Sequence, residues 1–332
     1  MEHGNVMRSS YRPGWVARGA GVAVILLLDA FLASRVAAHP GEPLAPHDLW
    51  SAWTLDPWVL AGIALSVGLY VRGVRRLWGK AGTGRGIRRW QVWCYAGGVA
   101  ALFAALVSPL DALGGVLFSA HMLQHVVLML VAAPLLVLGM PLIPFLWALP
   151  MRWRQRLGGW ARNPDLRGIW YVFTYPAVAW LLHAGAIWVW HVPALYQATL
   201  YSEAVHIVQH LSFFGTALLF WWVALESSRR RRRAFGFGVL YVFTTAVHSS
   251  ILGALLTFSL VLWYPAYAPT TAAWGLTPLE DQQLGGLVMW VPAGIVYVVA
   301  ALMLLAAGLG LTEREARRRE GYGGQTLWSA RR

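Results

Sequence analysis

The sequence is poor in the charged residues on which soluble proteins depend. Of its 332 residues only 12% are charged, whereas 58% are hydrophobic, and the mean hydropathy is +0.53. A soluble domain has no interior that could bury so much apolar surface. Several runs approach the roughly 20 apolar residues that span a bilayer. The composition therefore predicts an all-α, polytopic integral membrane protein.

The sequence also lacks the residues of several common functional sites. Its one cysteine, Cys94, cannot form an intramolecular disulfide or a CxxC pair. There is no phosphate-binding glycine loop, nucleophile elbow or protein-kinase motif set. A metal held by this chain must therefore rest on imidazole, with help from thioether or carboxylate groups. We expect a binding protein rather than an enzyme.

The N-terminus resembles a signal sequence. Basic residues precede an apolar run and small residues follow it, so we predict a signal peptide or signal anchor over 1–38 and an extracytoplasmic segment over 39–55. Cleavage after Ala38 would make His39 the new N-terminus. Its terminal amine and imidazole could then chelate copper together.

Seven transmembrane helices are predicted after this segment, within a domain that covers 56–310. A basic cytoplasmic tail follows over 311–332. The run MPLIPFLWALP is too short and too rich in proline to span the bilayer, and it is expected to be interfacial or re-entrant. The predicted spans lie near 56–72, 90–109, 116–139, 170–190, 204–225, 236–262 and 285–309.

The distribution of charge predicts the orientation. All 27 Lys and Arg residues lie in the leader, in alternate loops or in the C-terminal tail. The positive-inside rule places those loops and the C-terminus in the cytoplasm and the mature N-terminus outside, in a bacterial plasma (inner) membrane. The run Arg229–Arg233 is expected to contact anionic lipid head groups rather than nucleic acid. The opposite face carries only acidic charges, which attract cations.

Histidines converge on that predicted outer face. The motif HMLQH contains His121 and His125 at the start of the third span, and His206 and His210 occupy the same positions in the fifth span. A four-residue spacing puts both members of a pair on one helix face. It is also the spacing of two-histidine zinc sites built on helices. Because polar groups within spans are costly and usually functional, we predict a metal or cofactor site here.

Other residues are candidate members of this site. Imidazole suits copper, zinc and iron, and a thioether favours cuprous copper. His248 is expected to bond a neighbouring serine instead. Polar residues expected to orient ligands include Gln124, Gln209, Gln282 and Gln283. The further candidate metal ligands are His183, His191, Met122 and Asp281.

Four segments together resemble the caa-type cytochrome c oxidase assembly factor family, often called CtaG-like. They are FSAHMLQHVVLMLVAAPLLVLGMP, WHVPALY, VHIVQHLSFFGTALLFWW and DQQLGGLVMWVPAG, and the resemblance covers roughly residues 45–310. It implies a seven-span membrane protein that helps to mature a haem–copper oxidase, with copper as the metal and a cytochrome c oxidase subunit as the partner. It further implies metal-related roles at His121, His125, His183, His191, His206 and His210.

The sequence therefore predicts an assembly factor that binds copper at an extracytoplasmic histidine-rich site and delivers it to the oxidase. Two other functions remain open. Paired helices could hold b-type haem in a membrane redox protein, or the chain could transport copper or zinc.

Overall fold

The computed structural model describes residues 44–230 and 235–329. The predicted signal segment 1–38, His39 and Arg231–Arg233 lie outside these ranges. Within them the chain is built from helices and loops, with no strand. The helices are α1 (Pro57–Ala81), α2 (Arg89–Leu106), α3 (Pro109–Gly114), α4 (Phe118–Gly139), α5 (Leu142–Ala148), α6 (Met151–Trp160), α7 (Pro164–Phe173), α8 (Pro176–Trp190), α9 (Pro193–Tyr201), α10 (Glu203–Arg230), α11 (Phe235–Thr257) and α12 (Pro278–Ser329).

Proline begins half of these helices. It is favourable at the first helical position because its missing N–H would have no intrahelical acceptor there. At α1 the Asp56 carboxylate also accepts from the backbone N–H groups of Trp58 and Val59, at 2.7 and 3.1 Å. This N-cap fixes the start of α1. The six helices that begin with proline are α1, α3, α7, α8, α9 and α12.

Five helices of the described chain are long and apolar enough to cross a membrane: α1, α4, α10, α11 and α12. A sixth span results if α7 and α8, bent by 58° at their junction, cross together. The remaining predicted span corresponds to α2, which has 18 residues and begins with polar ones. Helix α2 is not among the described helices that are both long and apolar enough to cross a membrane. The count of seven spans therefore stays a prediction. The predicted tail begins as a continuation of α12.

The segment predicted to be interfacial or re-entrant forms the short helix α5, which packs on α1. The contact depends on Gly73, where a Cβ atom would overlap the Pro144 carbonyl. Arg76 donates to the Ala148 carbonyl at the end of α5, at 2.8 Å. Because α1 and α5 approach so closely, the segment that follows α4 is held against the first span.

A π-helical turn interrupts α4 over Val127–Ala132, directly after the HMLQH motif. The Ala133 N–H donates to Leu128 O, five residues back. Pro134, just beyond this turn, has no N–H to continue the α-helical ladder. Such turns frequently occur at functional sites, and this one begins two residues after His125.

Candidate metal centre

The paired histidines lie on two helices that face each other. His121 and His125 lie in the first turns of α4, with ring centroids 4.4 Å apart, and His206 and His210 lie in the first turns of α10, 4.3 Å apart. Between the helices, the centroids are 5.4 Å apart for His121 and His206 and 5.0 Å apart for His125 and His210. We call this cluster of four rings the four-histidine centre.

The ring nitrogens of the centre are close enough to share an ion. His121 Nε2 and His125 Nε2 are 3.1 Å apart. Ligand nitrogens of His121, His206 and His210 all lie within 4.8 Å of one another. Two nitrogens bound to one ion at about 2.0–2.1 Å each can be at most ~4.2 Å apart. For one ion to bind all three, no pair of these nitrogens would need to approach by more than about 0.6 Å.

Three nitrogens of the centre have no hydrogen-bond partner among the described residues. They are His125 Nδ1, His206 Nε2 and His210 Nε2, and each atom is buried. A buried polar atom without a partner costs about 1–3 kcal/mol. Gln209, between the two α10 histidines, is also fully buried. A cation that takes nitrogen lone pairs would remove this cost, so the residues present fit a metal ion.

The backbone and two tyrosines orient His121. Its Nδ1 lies 3.3 Å from the Gly114 carbonyl, and a proton on Nδ1 leaves the Nε2 lone pair to the centre. Tyr267 donates to the same carbonyl at 3.2 Å, and its oxygen is 2.9 Å from that of Tyr196. Burial raises the pKa of Tyr267 and of Tyr196 well above the usual value. Both phenols therefore stay neutral donors beside the centre.

Asp281, a predicted ligand, is used to hold the start of α4. Its carboxylate accepts from the Phe118 N–H at 2.7 Å, from the Ser119 N–H at 3.1 Å and from the Ser119 hydroxyl at 2.5 Å. The structure does not bring it into the group of His121, His206 and His210. Asp281 acts as an N-cap supplied by another helix and so positions the start of α4, which carries His121 and His125.

The predicted candidates Met122 and His191 come together next to the centre. His191 lies at the end of α8, and its Nε2 is 3.4 Å from Met122 Sδ. Both side chains are almost completely buried. Phe213 packs against both rings: its ring centroid is 4.7 Å from that of His125 and 6.0 Å from that of His191. This pair is therefore a neighbour of the four-histidine centre.

His183 and His248 lie away from the centre. His183 precedes His191 by two helical turns, and its Nδ1 is 3.1 Å from the Thr216 hydroxyl. His248 Nδ1 accepts from the Trp188 indole at 3.3 Å, not from one of the adjacent serines as predicted. The structure therefore does not bring His183, a predicted metal residue, together with the other candidates.

The predicted orienting glutamines mostly stabilise backbone. Gln124 donates to Ala105 O at 2.9 Å and to Asp111 at 2.7 Å, which anchors α4 against its neighbours. Gln282 accepts from the Trp263 N–H at 2.6 Å and donates to Val261 O at 3.1 Å. These contacts hold the loop after α11, which carries Tyr267, against α12.

Sequence reasoning missed the two tyrosines and Glu203. Glu203 precedes His206 by three residues, so both lie on one face of α10, and its Oε1 is buried without a partner in the described chain. The Glu-x-x-His spacing was a signal that could have identified it. Nothing local marks Tyr196 and Tyr267, because they approach His121 only through the fold.

Comparisons with known proteins identify a family and several distant relatives. A family model described as cytochrome c oxidase caa3 assembly factor matches residues 68–309. Uncharacterized proteins of Mycobacterium bovis and Mycobacterium tuberculosis are each 26% identical over 284 residues, which is 83% of this chain and 42% of theirs. One of Mycobacterium leprae is 23% identical over 291 residues, with the same two shares. The chain thus spans less than half the length of these relatives. No solved structure matches it.

Proposed function

This chain belongs to the cytochrome c oxidase caa3 assembly factor family, and from that premise we propose that it binds copper at the four-histidine centre and delivers it to an oxidase subunit. The observation that supports a bound cation is the set of buried, unpaired imidazole nitrogens on α4 and α10. Copper is the cargo here, and the role is binding rather than catalysis.

The donor set is consistent with copper. Imidazole binds copper, zinc and iron, and the choice among them follows from the haem–copper oxidase that such a factor would serve. Each histidine of the centre approaches another histidine within 4.3–5.4 Å between centroids. A haem would need two imidazoles on opposite faces of a planar macrocycle, with space between them. The crowded rings favour an ion over haem.

The packing below the centre favours delivery over transport. Phe213, Leu128, Phe220 and Trp221 are all buried there and offer no ligand, and the His183 ring that packs on Phe220 has its Nδ1 against the Thr216 hydroxyl. We place the centre at the extracytoplasmic end of the helices, in a bacterial plasma membrane with the mature N-terminus outside and the C-terminus inside, where membrane lipid surrounds the bundle. A copper ion bound there would reach an oxidase subunit without crossing the bilayer.

Elemental analysis of the purified, copper-loaded protein tests the proposal. We expect His206→Ala/His210→Ala to weaken the affinity of the four-histidine centre for copper by about 100-fold or more, so that the centre loses its ion on purification, because even residues that only orient ligands contribute 10–100-fold. His248→Ala is the matched control, since this histidine lies outside the centre, and it should keep its copper. Cytochrome c oxidase activity in membranes should fall in the double variant alone.

Two outcomes would overturn the proposal. One is a double variant with unchanged copper content and unchanged oxidase activity. The other is a reduced haem band in the visible spectrum of the purified protein, which would assign the histidines to a redox cofactor.

A further inference from the structure

His191 and Met122 contact each other, and neither belongs to the four-histidine centre. The His191 Nε2 to Met122 Sδ distance is 3.4 Å, and the exposed fractions of the two residues are 3% and 1%. Water therefore does not separate the two atoms or solvate either one. The chemistry of the contact depends on which nitrogen of His191 carries the proton.

The contact made by His191 Nδ1 shows which nitrogen carries the proton. His191 Nδ1 lies 2.6 Å from the Ile187 carbonyl oxygen. Two lone pairs do not approach so closely in a buried site, so Nδ1 carries the proton and donates it to this oxygen. In the neutral ring Nε2 is then an acceptor. A thioether sulfur has no proton to donate either. The contact therefore joins two lone-pair donors with no hydrogen between them.

The distance between the two atoms suits a shared metal ion. With metal–nitrogen and metal–sulfur bonds of about 2.0 and 2.3 Å, a separation of 3.4 Å corresponds to an angle of ~104° at the metal. That is close to the tetrahedral angle. A thioether is a soft ligand, which selects cuprous copper over zinc and over cupric copper.

The surrounding residues hold the pair in this arrangement. The Tyr264 hydroxyl donates to the His191 carbonyl at 2.8 Å. On the other side, α12 approaches through Gly285, where a Cβ atom would overlap the Phe118 ring and lie 3.3 Å from Met122 Cγ. The pair is thus positioned before any ion binds, which lowers the entropy that binding must overcome.

We propose that His191 and Met122 form a second copper position, selective for the cuprous ion, beside the four-histidine centre. This inference deepens the proposed function and rests on it for the identity of the metal. Copper held by sulfur and nitrogen at His191 and Met122 would be in the reduced state. Phe213 packs against the rings of both His191 and His125, so the second position adjoins the four-histidine centre.

X-ray absorption at the copper edge tests the proposal on protein loaded anaerobically with cuprous copper. We expect a sulfur scatterer at about 2.3 Å in the native chain and none in Met122→Leu. The affinity for cuprous copper, measured by competition with a chromogenic chelator, should fall about ten-fold or more. Met129→Leu removes another buried methionine of α4 and is the matched control, which should retain the sulfur signal.

The outcomes separate this inference from the proposed function. A native protein with only nitrogen scatterers, or Met122→Leu with an unchanged sulfur signal, overturns the second position and leaves the four-histidine centre standing. A persistent sulfur signal in His206→Ala/His210→Ala supports the second position. If oxidase activity were also unchanged in that variant, delivery from the four-histidine centre would be wrong while the second position stood. Leu replaces Met at nearly constant volume, so the variant should fold.

Discussion

Two buried regions of this protein treat their polar groups in opposite ways. At the junction of α1, α2 and α5, the Tyr70 hydroxyl donates to Gly139 O at 3.0 Å and the Tyr95 hydroxyl lies 2.6 Å from Ser66 Oγ. In the four-histidine centre, three buried nitrogens have no partner in the described chain. The same bundle can evidently pair polar groups within an apolar interior. Single unpaired polar atoms also occur elsewhere in the described chain, such as His183 Nε2 and Tyr241 Oη, so it is the convergence of three unpaired nitrogens in one place that points to a ligand.

The largest expected effect concerns the backbone contact at the junction. Gly73→Ala places a Cβ atom on the Pro144 carbonyl, which is backbone and cannot rotate away. We expect a loss of about 3 kcal/mol or more in the free energy of unfolding, measured by thermal unfolding in detergent. Gly68→Ala on the same helix is the control, because its Cβ meets nothing within 4 Å. Equal stability of the two variants would contradict this account of the junction.

Removing the interhelical cap of α4 should have the next largest effect. Asp281→Asn replaces two carboxylate acceptors by one amide oxygen, so the Phe118 and Ser119 N–H groups lose charge-assisted bonds. The expected loss is about 1–2 kcal/mol of stability. A weaker affinity for copper should accompany it, because α4 carries His121. Gln283→Ala, at the same helix end, should leave the copper affinity unchanged.

A direct test of the comparison removes one polar group from each region. Tyr70→Phe leaves the Gly139 carbonyl without its donor and should cost about 1 kcal/mol. His210→Leu, in metal-free protein, removes a nitrogen that has no partner and should cost nothing or increase the stability. Thermal unfolding in detergent without metal measures both. A larger loss for His210→Leu would mean that the imidazole has a partner within the protein.

The smallest expected effect is a change in pH dependence. Burial raises the pKa of Asp111, and hydrogen bonds from Thr54 and Gln124 only partly oppose this shift. An acid with a raised native pKa binds more protons when folded. Its contribution to stability is therefore lost as the pH rises from the unfolded pKa through the native one. Asp111→Asn should flatten this decline above pH 4 in a series of thermal unfolding measurements, and an unchanged slope would exclude Asp111 as its source.

Helical periodicity made part of the centre predictable. The spacing of His121 and His125 placed both on one face of α4, and the same holds for His206 and His210 on α10. Helix geometry could also have predicted that His183 lies away from His191. The eight residues between them along one helix correspond to about 12 Å along its axis. The sequence analysis assigned both histidines to one site, whereas in the structure His183 lies against Thr216 and His191 lies against Met122.

Other features depended on contacts that no local pattern encodes. Asp281 resembled a ligand because polar residues at a predicted outer helix end suggest one. Its partner is instead the start of α4, 162 residues earlier in the chain. His248 bonds Trp188 across helices although two serines adjoin it. In both cases the hydrogen-bond donor comes from another helix that packs against the acceptor: the backbone N–H groups at the start of α4 for Asp281, and the Trp188 indole for His248.

The sequence by itself determined the membrane class, the all-helical architecture and the pairing of histidines on single helix faces, because composition and the 3.6-residue period act locally. Only the tertiary structure decided that α4 and α10 face each other, that Asp281 caps a distant helix, and that Met122 meets His191. These outcomes depend on which helices pack together. Close approaches at glycines such as Gly73 and Gly285 set that packing, and their partners lie far away in the chain.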